Sequence, residues 1–474
     1  MKIIFYFSQN KIRKLILVFS LIIKISFSSK FEPIPKGNGI LNMKYNHKSA
    51  DNLYFIFEHF RHGARSTCEG KFINNTDILG GKWQYVGGLT KLGKKQQYNI
   101  GQKNKLRYKK FINYKYDPRE IKIYSTNYTR TINSAQNQLL GLFNNHINYD
   151  NISNKDIIGE AQLDINLNNI IPPIYLFQYK KEGNKRIFQI FLREKFTCPL
   201  FKKNIDENRK KIYYFEKLKN IRNTFNKKYY NIILNEYNID NTKSHIGMYH
   251  FCDAYISNYY DENNKLKLNE IEKRNNNFNL KDILNTCYDY YKEYFFVIEG
   301  EKYAKINGIL SMSRSFQEII DIMKDRINKG NQKYINYTSP KFLLYSGHDD
   351  TLSQMQMFLK KCFNIEYEWT PFASSQLFEL RKYGNIFYVE IYYNDRLKLN
   401  ITFKEFDDKI KKNIMNEKDI YNKCYGFKNS SYFLISIWLI IISILLFITF
   451  FSIKIYIYFE ELEKNSETKN ISIM

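Results

Sequence analysis

The stretch HFRHGARSTCEG, residues 59–70, places Arg61, His62 and Arg65 within five positions, around Gly63 and Ala64. Three cation-capable side chains this close repel one another. They become compatible when an anion lies between them. Arginine suits that task, because its planar guanidinium donates two hydrogen bonds at once to a phosphate or carboxylate. Histidine adds a group that can act as nucleophile, base or acid near neutrality. A solvated basic loop is the plain alternative in a chain this rich in lysine.

Two further stretches carry related chemistry. YSTNYTRTINSAQNQLLGLF, residues 124–143, contributes Arg130, and LLYSGHDDTL, residues 343–352, contributes His348 and Asp349. Each follows a candidate strand. NLYFIFEHF (52–60), EIKIYST (120–126) and KFLLYSG (341–347) are β-branched and aromatic runs of strand length. Helical spacing follows at residues 128–143, with Ser125 and Thr126 as candidate caps, and again after the His348–Asp349 pair. QLFELRK and NIFYVEIYY, joined by YGN, form an expected hairpin, and RLKLNI a further strand.

Residues 145–329 are polar and helix-leaning, without clear strands. The expected fold is therefore α/β: a central mixed sheet built from both ends of the chain and flanked by helices, with a mostly helical cap inserted at about 145–330. In open α/β sheets ligands bind outside the carboxyl ends of the strands. Arg61 and His62, Arg130, and His348 and Asp349 all occupy such positions.

The chain has 474 residues and a formal net charge of +26. Its basic residues are scattered rather than gathered in a patch. With no zinc-finger spacing, RNA-binding signature or basic zipper, nucleic acid is not an expected partner. Lys11, Arg13 and Lys14 precede the apolar run 15–23 and small residues at Ser26 and Ser28, the pattern of a signal peptide over residues 1–28. Lys24 leaves an uncleaved anchor as the alternative. Residues 432–453 are uncharged and long enough to cross a bilayer as one helix.

This gives a type I single-pass topology: a lumenal or extracellular domain over 29–430, with a stalk around Asn416–Asn429, and a cytosolic tail over 454–474. The lumen would be that of a lysosome or other acidic vesicle, or else the domain faces the cell exterior. All six cysteines (Cys68, Cys198, Cys252, Cys287, Cys362 and Cys424) lie between the apolar segments, as expected for disulfides in an oxidising compartment. Asn74, Asn127, Asn151, Asn336, Asn400 and Asn429 begin glycosylation sequons.

RHGARS, YSTNYTRTINSAQNQLLGLF and LLYSGHDDTL, in that order, resemble the histidine acid phosphatases, a branch of the histidine phosphatase superfamily. WQYVGGLTKLGKKQQYNIGQKNKLRY and CPLF resemble further family segments, so the likeness runs from about Leu53 to Cys424. It implies hydrolysis of phosphate monoesters through a phosphohistidine on His62. Arg61, Arg65, Arg130 and His348 would bind phosphoryl oxygens, and Asp349 would act as general acid. Gly63 would allow close backbone approach behind the nucleophile, and neither metal nor cofactor is implied.

A phytase or inositol-polyphosphate phosphatase on the same scaffold is the alternative. A catalytically silent membrane-anchored binding protein is the alternative of another class, and a homodimer is compatible with any of these. Thr67 stands where the family motif has proline, and Asp350 where a threonine is usual. The family order pairs Cys198 with Cys424. Cys252 is then expected to pair locally with Cys287, which leaves Cys68 with Cys362. His59, His245 and His250 are read as structural.

Overall fold

The computed structural model describes residues 52–68, 86–113, 116–143, 174–176, 180–182, 185–187, 198–211, 215–236, 247–300, 304–330 and 339–471. The expected signal peptide, His245 and the sequons at Asn74, Asn151 and Asn336 lie outside them.

Nine strands are present among the described residues: β1 (Leu53–Arg61), β2 (Ile121–Ser125), β3 (Tyr175–Leu176), β4 (Lys180–Glu182), β5 (Lys185–Ile187), β6 (Phe342–Gly347), β7 (Ser375–Tyr383), β8 (Ile386–Tyr393) and β9 (Arg396–Thr402). The helices are α1 (Lys91–Arg107), α2 (Thr129–Phe143), α3 (Pro199–Lys210), α4 (Glu216–Phe225), α5 (Asn231–Glu236), α6 (Met248–Tyr259), α7 (Glu262–Arg274), α8 (Leu280–Tyr294), α9 (Ala304–Lys329), α10 (Asp349–Phe363), α11 (Phe403–Lys411) and α12 (Glu417–Ile471). Seven strands form one mixed sheet in the order β3-β2-β6-β1-β7-β8-β9. β3, β2, β6 and β1 run parallel, and β7 turns back antiparallel to β1.

Strand β1 explains why the sheet has helices on both faces. Its side chains alternate: Phe55 and Phe57 join one core layer with Phe316 and Ile319 of α9 and Phe358 of α10. Ile56 and Phe60 join the other, with Tyr108, Leu139 of α2 and Ile123. A period of two with apolar residues on both sides is the mark of a strand covered twice. Helices α1 and α2 lie so close that a Cβ on Gly101 would collide with the carbonyl of Gln138, and one on Gly141 with that of Tyr98. Only glycine permits that approach.

A third core unites the inserted helices: Phe251 and Tyr255 of α6, Ile283 and Tyr291 of α8, and Leu218 and Phe225 of α4 pack with Trp369 and Phe372 from the sheet domain. Two disulfides tie this cap together. Cys252–Cys287 joins α6 to α8, and Cys198–Cys424 joins the start of α3 to α12. Both match the expected pairings.

The remaining pairing is corrected: Cys68 and Cys362 are free thiols. They belong to different surroundings. The Cys68 backbone N–H donates to the cap residue Asp253. Cys362 packs against the α9–α10 layer, where burial pushes its thiol up to about 12.

Other expectations also shift. The stretch before Cys198 contains β3 and the β4–β5 hairpin, elements of two and three residues too short to show alternation. Helix α9 packs mainly on the sheet, with Leu310 near its start reaching the cap core. Residues 417–429, where a stalk was expected, begin a continuous 55-residue helix. That helix contains Ile435–Leu462, a 28-residue stretch long and apolar enough to cross a membrane and unburied throughout.

Candidate active site

Strand register builds the site. Arg61 lies opposite Gly347 across the β1–β6 ladder, and Ser346 lies beside Ser125 across the β6–β2 ladder. Three adjacent parallel strands therefore end at one level. They deliver His62, His348 and Thr126 to one edge of the sheet, where chain crossing to non-adjacent strands opens a crevice.

The loop after β1 is pinned from several directions. The N–H groups of Arg61 and His62 donate to the carbonyls of Ser374 (2.8 Å) and Gly347 (3.1 Å). The His62 carbonyl accepts from Ala373 at 3.0 Å, and Gln97 Nε2 donates to the Arg61 carbonyl at 2.9 Å. Behind the loop, a Cβ on Gly63 would fall inside the carbonyl of Gly93, and one on Gly93 inside that of Ala64. The close approach expected of Gly63 is thus against the first turn of α1, whose Thr90 cap accepts from Gly93 N at 3.1 Å.

His62 is 2% exposed. Its Nδ1 lies 2.9 Å from the Gly63 carbonyl. A carbonyl only accepts, so Nδ1 carries the hydrogen and Nε2 keeps a lone pair. Burial first, then the charges of Arg130, Arg61 and Arg65, hold the imidazole well below the usual histidine range. The ring is neutral with one bare nitrogen, the form a nucleophile requires.

Arg61 and Arg65 are 4% and 6% exposed. Arg61 gives Nη1 to the Thr370 carbonyl at 2.6 Å and Nη2 to Asp349 Oδ2 at 2.8 Å, and its guanidinium lies 4.4 Å over the Phe372 ring. Arg65 gives Nη1 to the Ser66 carbonyl at 2.8 Å and Nη2 to Asp253 Oδ1 at 2.7 Å. In both, the buried Nε–H has no acceptor among the described residues. A buried unpaired donor costs free energy; both guanidinium groups lie over the Phe372 ring and act on the His62 imidazole by charge, an arrangement able to accept an anion.

Arg130, in the first turn of α2, stacks on Tyr128 at 4.6 Å, with its Nη2 3.5 Å from His348 Nδ1. His348 Nε2 lies 2.9 Å from Thr126 Oγ1, which in turn lies 2.8 Å from Thr131 Oγ1. The His348 and His62 rings meet edge-on at 5.6 Å. Thr126 therefore orients His348 instead of capping α2, and the Ser125 hydroxyl donates to the Thr126 carbonyl.

The two adjacent aspartates separate cleanly. The Asp349 side chain is 20% exposed and pairs with Arg61. Asp350 is buried, with Oδ1 accepting the Thr351 N–H at 2.8 Å. Carboxylates in the first turn of α10 also suit the positive end of the helix dipole.

All six residues singled out in the sequence converge here. Four were missed. Asp253 comes from the cap, and Phe372 from the turn before β7. Thr126 was read as a cap, and Gly93 went unremarked. Thr126 and Gly93 sat within recognised family segments. His59 is structural as expected: it is fully buried, with Nε2 3.1 Å from Thr351 Oγ1, and desolvation lowers its pKa to about 3. His250 lies on α6, edge-on to Tyr249 at 5.5 Å.

The fold and this cluster are those of a histidine phosphatase scaffold. The profile of the histidine phosphatase superfamily (branch 2) matches residues 43–394, and the chain belongs to that family. It is 26% identical over 360 residues to prostatic acid phosphatase of Bos taurus, covering 73% of this chain and 78% of the relative. It is 27% identical over 360 residues to lysosomal acid phosphatase of Xenopus laevis, covering 72% and 69%. Among solved structures, the phytase of Citrobacter braakii superposes with a TM-score of 0.47 at 12% identity, covering 77% of this chain and 98% of that one.

Proposed function

We propose that this protein is an acid phosphatase, a phosphoric monoester hydrolase that works through a phosphohistidine on His62. The observation that carries the reading is the bare, neutral imidazole flanked by two buried guanidinium groups, each with an Nε–H unpaired among the described residues. Arg61, Arg65, Arg130 and His348 bind the phosphoryl oxygens and stabilise the charge that builds on them in transfer. His62 Nε2 attacks phosphorus as the bond to the leaving oxygen breaks, and Asp349 supplies that oxygen with a proton. Water then attacks phosphorus, its proton passes to Asp349, and the P–N bond breaks to release inorganic phosphate.

The environment of His62 supports acidic operation: burial and the surrounding arginines hold its imidazole well below the usual histidine range, against about 6.5 for a free one, and so favour the neutral, nucleophilic ring.

The names of the acid phosphatase relatives support the same substrate class. The two disulfides, the exposed Asn400 sequon and the apolar stretch in α12 support a single-pass membrane protein with a lumenal or surface domain. The test is turnover by the full-length protein in detergent at pH 5, with alkaline quench after labelled substrate. Acid-labile, alkali-stable label on His62 is the expected result. Label on serine or cysteine would refute the assignment.

A further inference from the structure

The pairing of Arg65 goes beyond binding phosphate. Arginine has two hydrogen-bonding forks, one end-on through both Nη atoms and one side-on through Nε and Nη2. The end-on fork of Arg65 is taken by Asp253, with Nη2 to Oδ1 at 2.7 Å and Nη1 to Oδ2 at 3.4 Å. The second carboxylate oxygen also accepts the Cys68 N–H at 2.9 Å, so one cap side chain holds both the guanidinium and the backbone of the catalytic loop. What remains open is the side-on edge, whose Nε–H is buried and without an acceptor among the described residues.

Asp253 itself is firmly placed. It sits on α6 between Cys252, bonded to Cys287 of α8, and Ala254 and Tyr255 in the cap core. Arg65 holds its carboxyl below the usual range despite burial, so it stays charged.

We infer that Asp253 is a positioning residue for phosphoryl transfer: by occupying the end-on fork of Arg65 it turns the side-on edge toward the phosphate, and so couples cap placement to transition-state binding. This rests on the function proposed above. A guanidinium free to rotate would still attract phosphate by charge. It would lose the fixed donor geometry that matters when phosphorus becomes five-coordinate, and small misplacements cost about 100-fold in rate.

The test uses full-length protein in detergent. Asp253→Asn keeps the side-chain shape and removes the charge. The expected result is a fall in kcat/KM of about 10- to 100-fold, mostly in kcat. Inhibition by vanadate, which mimics the five-coordinate state, should weaken by a similar factor, and inhibition by inorganic phosphate by less than about threefold. A merely structural role would weaken both inhibitors alike. In an Arg65→Ala background Asp253→Asn should change kcat/KM by less than about twofold, because its effect passes through Arg65.

Wild-type activity with unchanged Asp253→Asn kinetics, equal loss of vanadate and phosphate inhibition, or full additivity with Arg65→Ala would overturn the inference and leave the proposed function standing. An inert wild type would instead refute the function. If Asp253→Asn does not fold, Asp253→Glu carries the test, since its longer arm displaces the fork. A drop in kcat with vanadate inhibition weakened more than phosphate inhibition supports the inference, and wild-type kinetics overturn it.

Discussion

Two clusters of buried arginine and carboxylate lie toward opposite ends of the central sheet, and they are wired differently. At the carboxyl end of β1, Arg61 and Arg65 each pair with one aspartate and keep a buried Nε–H unspent among the described residues. Toward the other end, Glu379 of β7 accepts from Arg107 Nε, Tyr108 Oη and Arg381 Nε, each at 2.8 Å. There Arg381 also reaches Asn52 Oδ1 at 2.8 Å and Glu390 at 3.4 Å. The rear cluster spends its Nε donors on the protein. The front cluster withholds them at a cost in stability, which the phosphate of the proposed substrate would offset. Buried charge alone therefore does not mark a site; donors left unpaired beside a bare nucleophile do.

The contrast breaks most sharply at His62. His62→Ala should lower kcat/KM by more than about 10⁴-fold, since the residue is needed covalently. Rapid-quench labelling should find no phosphohistidine, with the melting temperature close to wild type.

Asp349→Asn should reduce single-turnover phosphorylation by about 10²- to 10⁴-fold for an aliphatic ester such as glycerol phosphate, and far less for a nitrophenyl ester, whose leaving group needs no proton. Equal losses for both esters, or a larger loss with Asp350→Asn, would move the acid elsewhere.

The rear cluster should give the opposite signature. Glu379→Ala leaves Arg107 and Arg381 without their buried partner, and breaking such a pair costs about 3–5 kcal/mol. Denaturant midpoints should fall accordingly, while kcat of the folded fraction stays within about twofold of wild type. A selective loss of kcat would show that the two clusters are not separable.

The smallest effect concerns Glu58, on the α1–α2 side of β1. It is fully buried, with Oε2 accepting from Asn104 at 2.7 Å and Gln138 at 2.8 Å. Burial raises its pKa from 4.5 to about 7. Between those values the folded state holds a proton that the unfolded state has lost. Its contribution is present in full below pH 4.5 and is lost as pH rises through about 7, at most about 3 kcal/mol. Glu58→Gln should flatten that decline when unfolding is measured at pH 5 and pH 8. An unchanged difference between the two pH values would show that Glu58 is not protonated in the folded state.

Much of the site was legible because its chemistry is local. RHGAR, the TRT turn and the GHDD turn each place functional groups directly after a strand, and strand ends are visible in aromatic and β-branched runs. The short strands β3, β4 and β5 were not legible, because two or three residues carry no alternation. Asp253 was equally silent: an aspartate after a cysteine on a helix looks like many others until a second element packs against it. Thr126 was visible but misassigned, since a hydroxyl before a helix has the same local form whether it caps a backbone or orients a distant imidazole.

The sequence by itself determined the family, the mixed α/β plan, the six residues of the central cluster, two of the cysteine pairings and the apolar C-terminal stretch. The α/β plan and the apolar stretch rest on residue type, spacing and short-range periodicity, which are properties of contiguous chain; the roles in the cluster and the cysteine pairings rest on the family resemblance that its motifs carry. The tertiary structure alone decided that Cys68 and Cys362 stay apart, that Asp349 and not Asp350 meets Arg61, that Gly63 needs Gly93, and that the cap reaches Arg65 through Asp253. Each of these depends on groups brought together from distant or differently turned parts of the chain, where distance and direction choose among residues that local sequence leaves chemically equivalent.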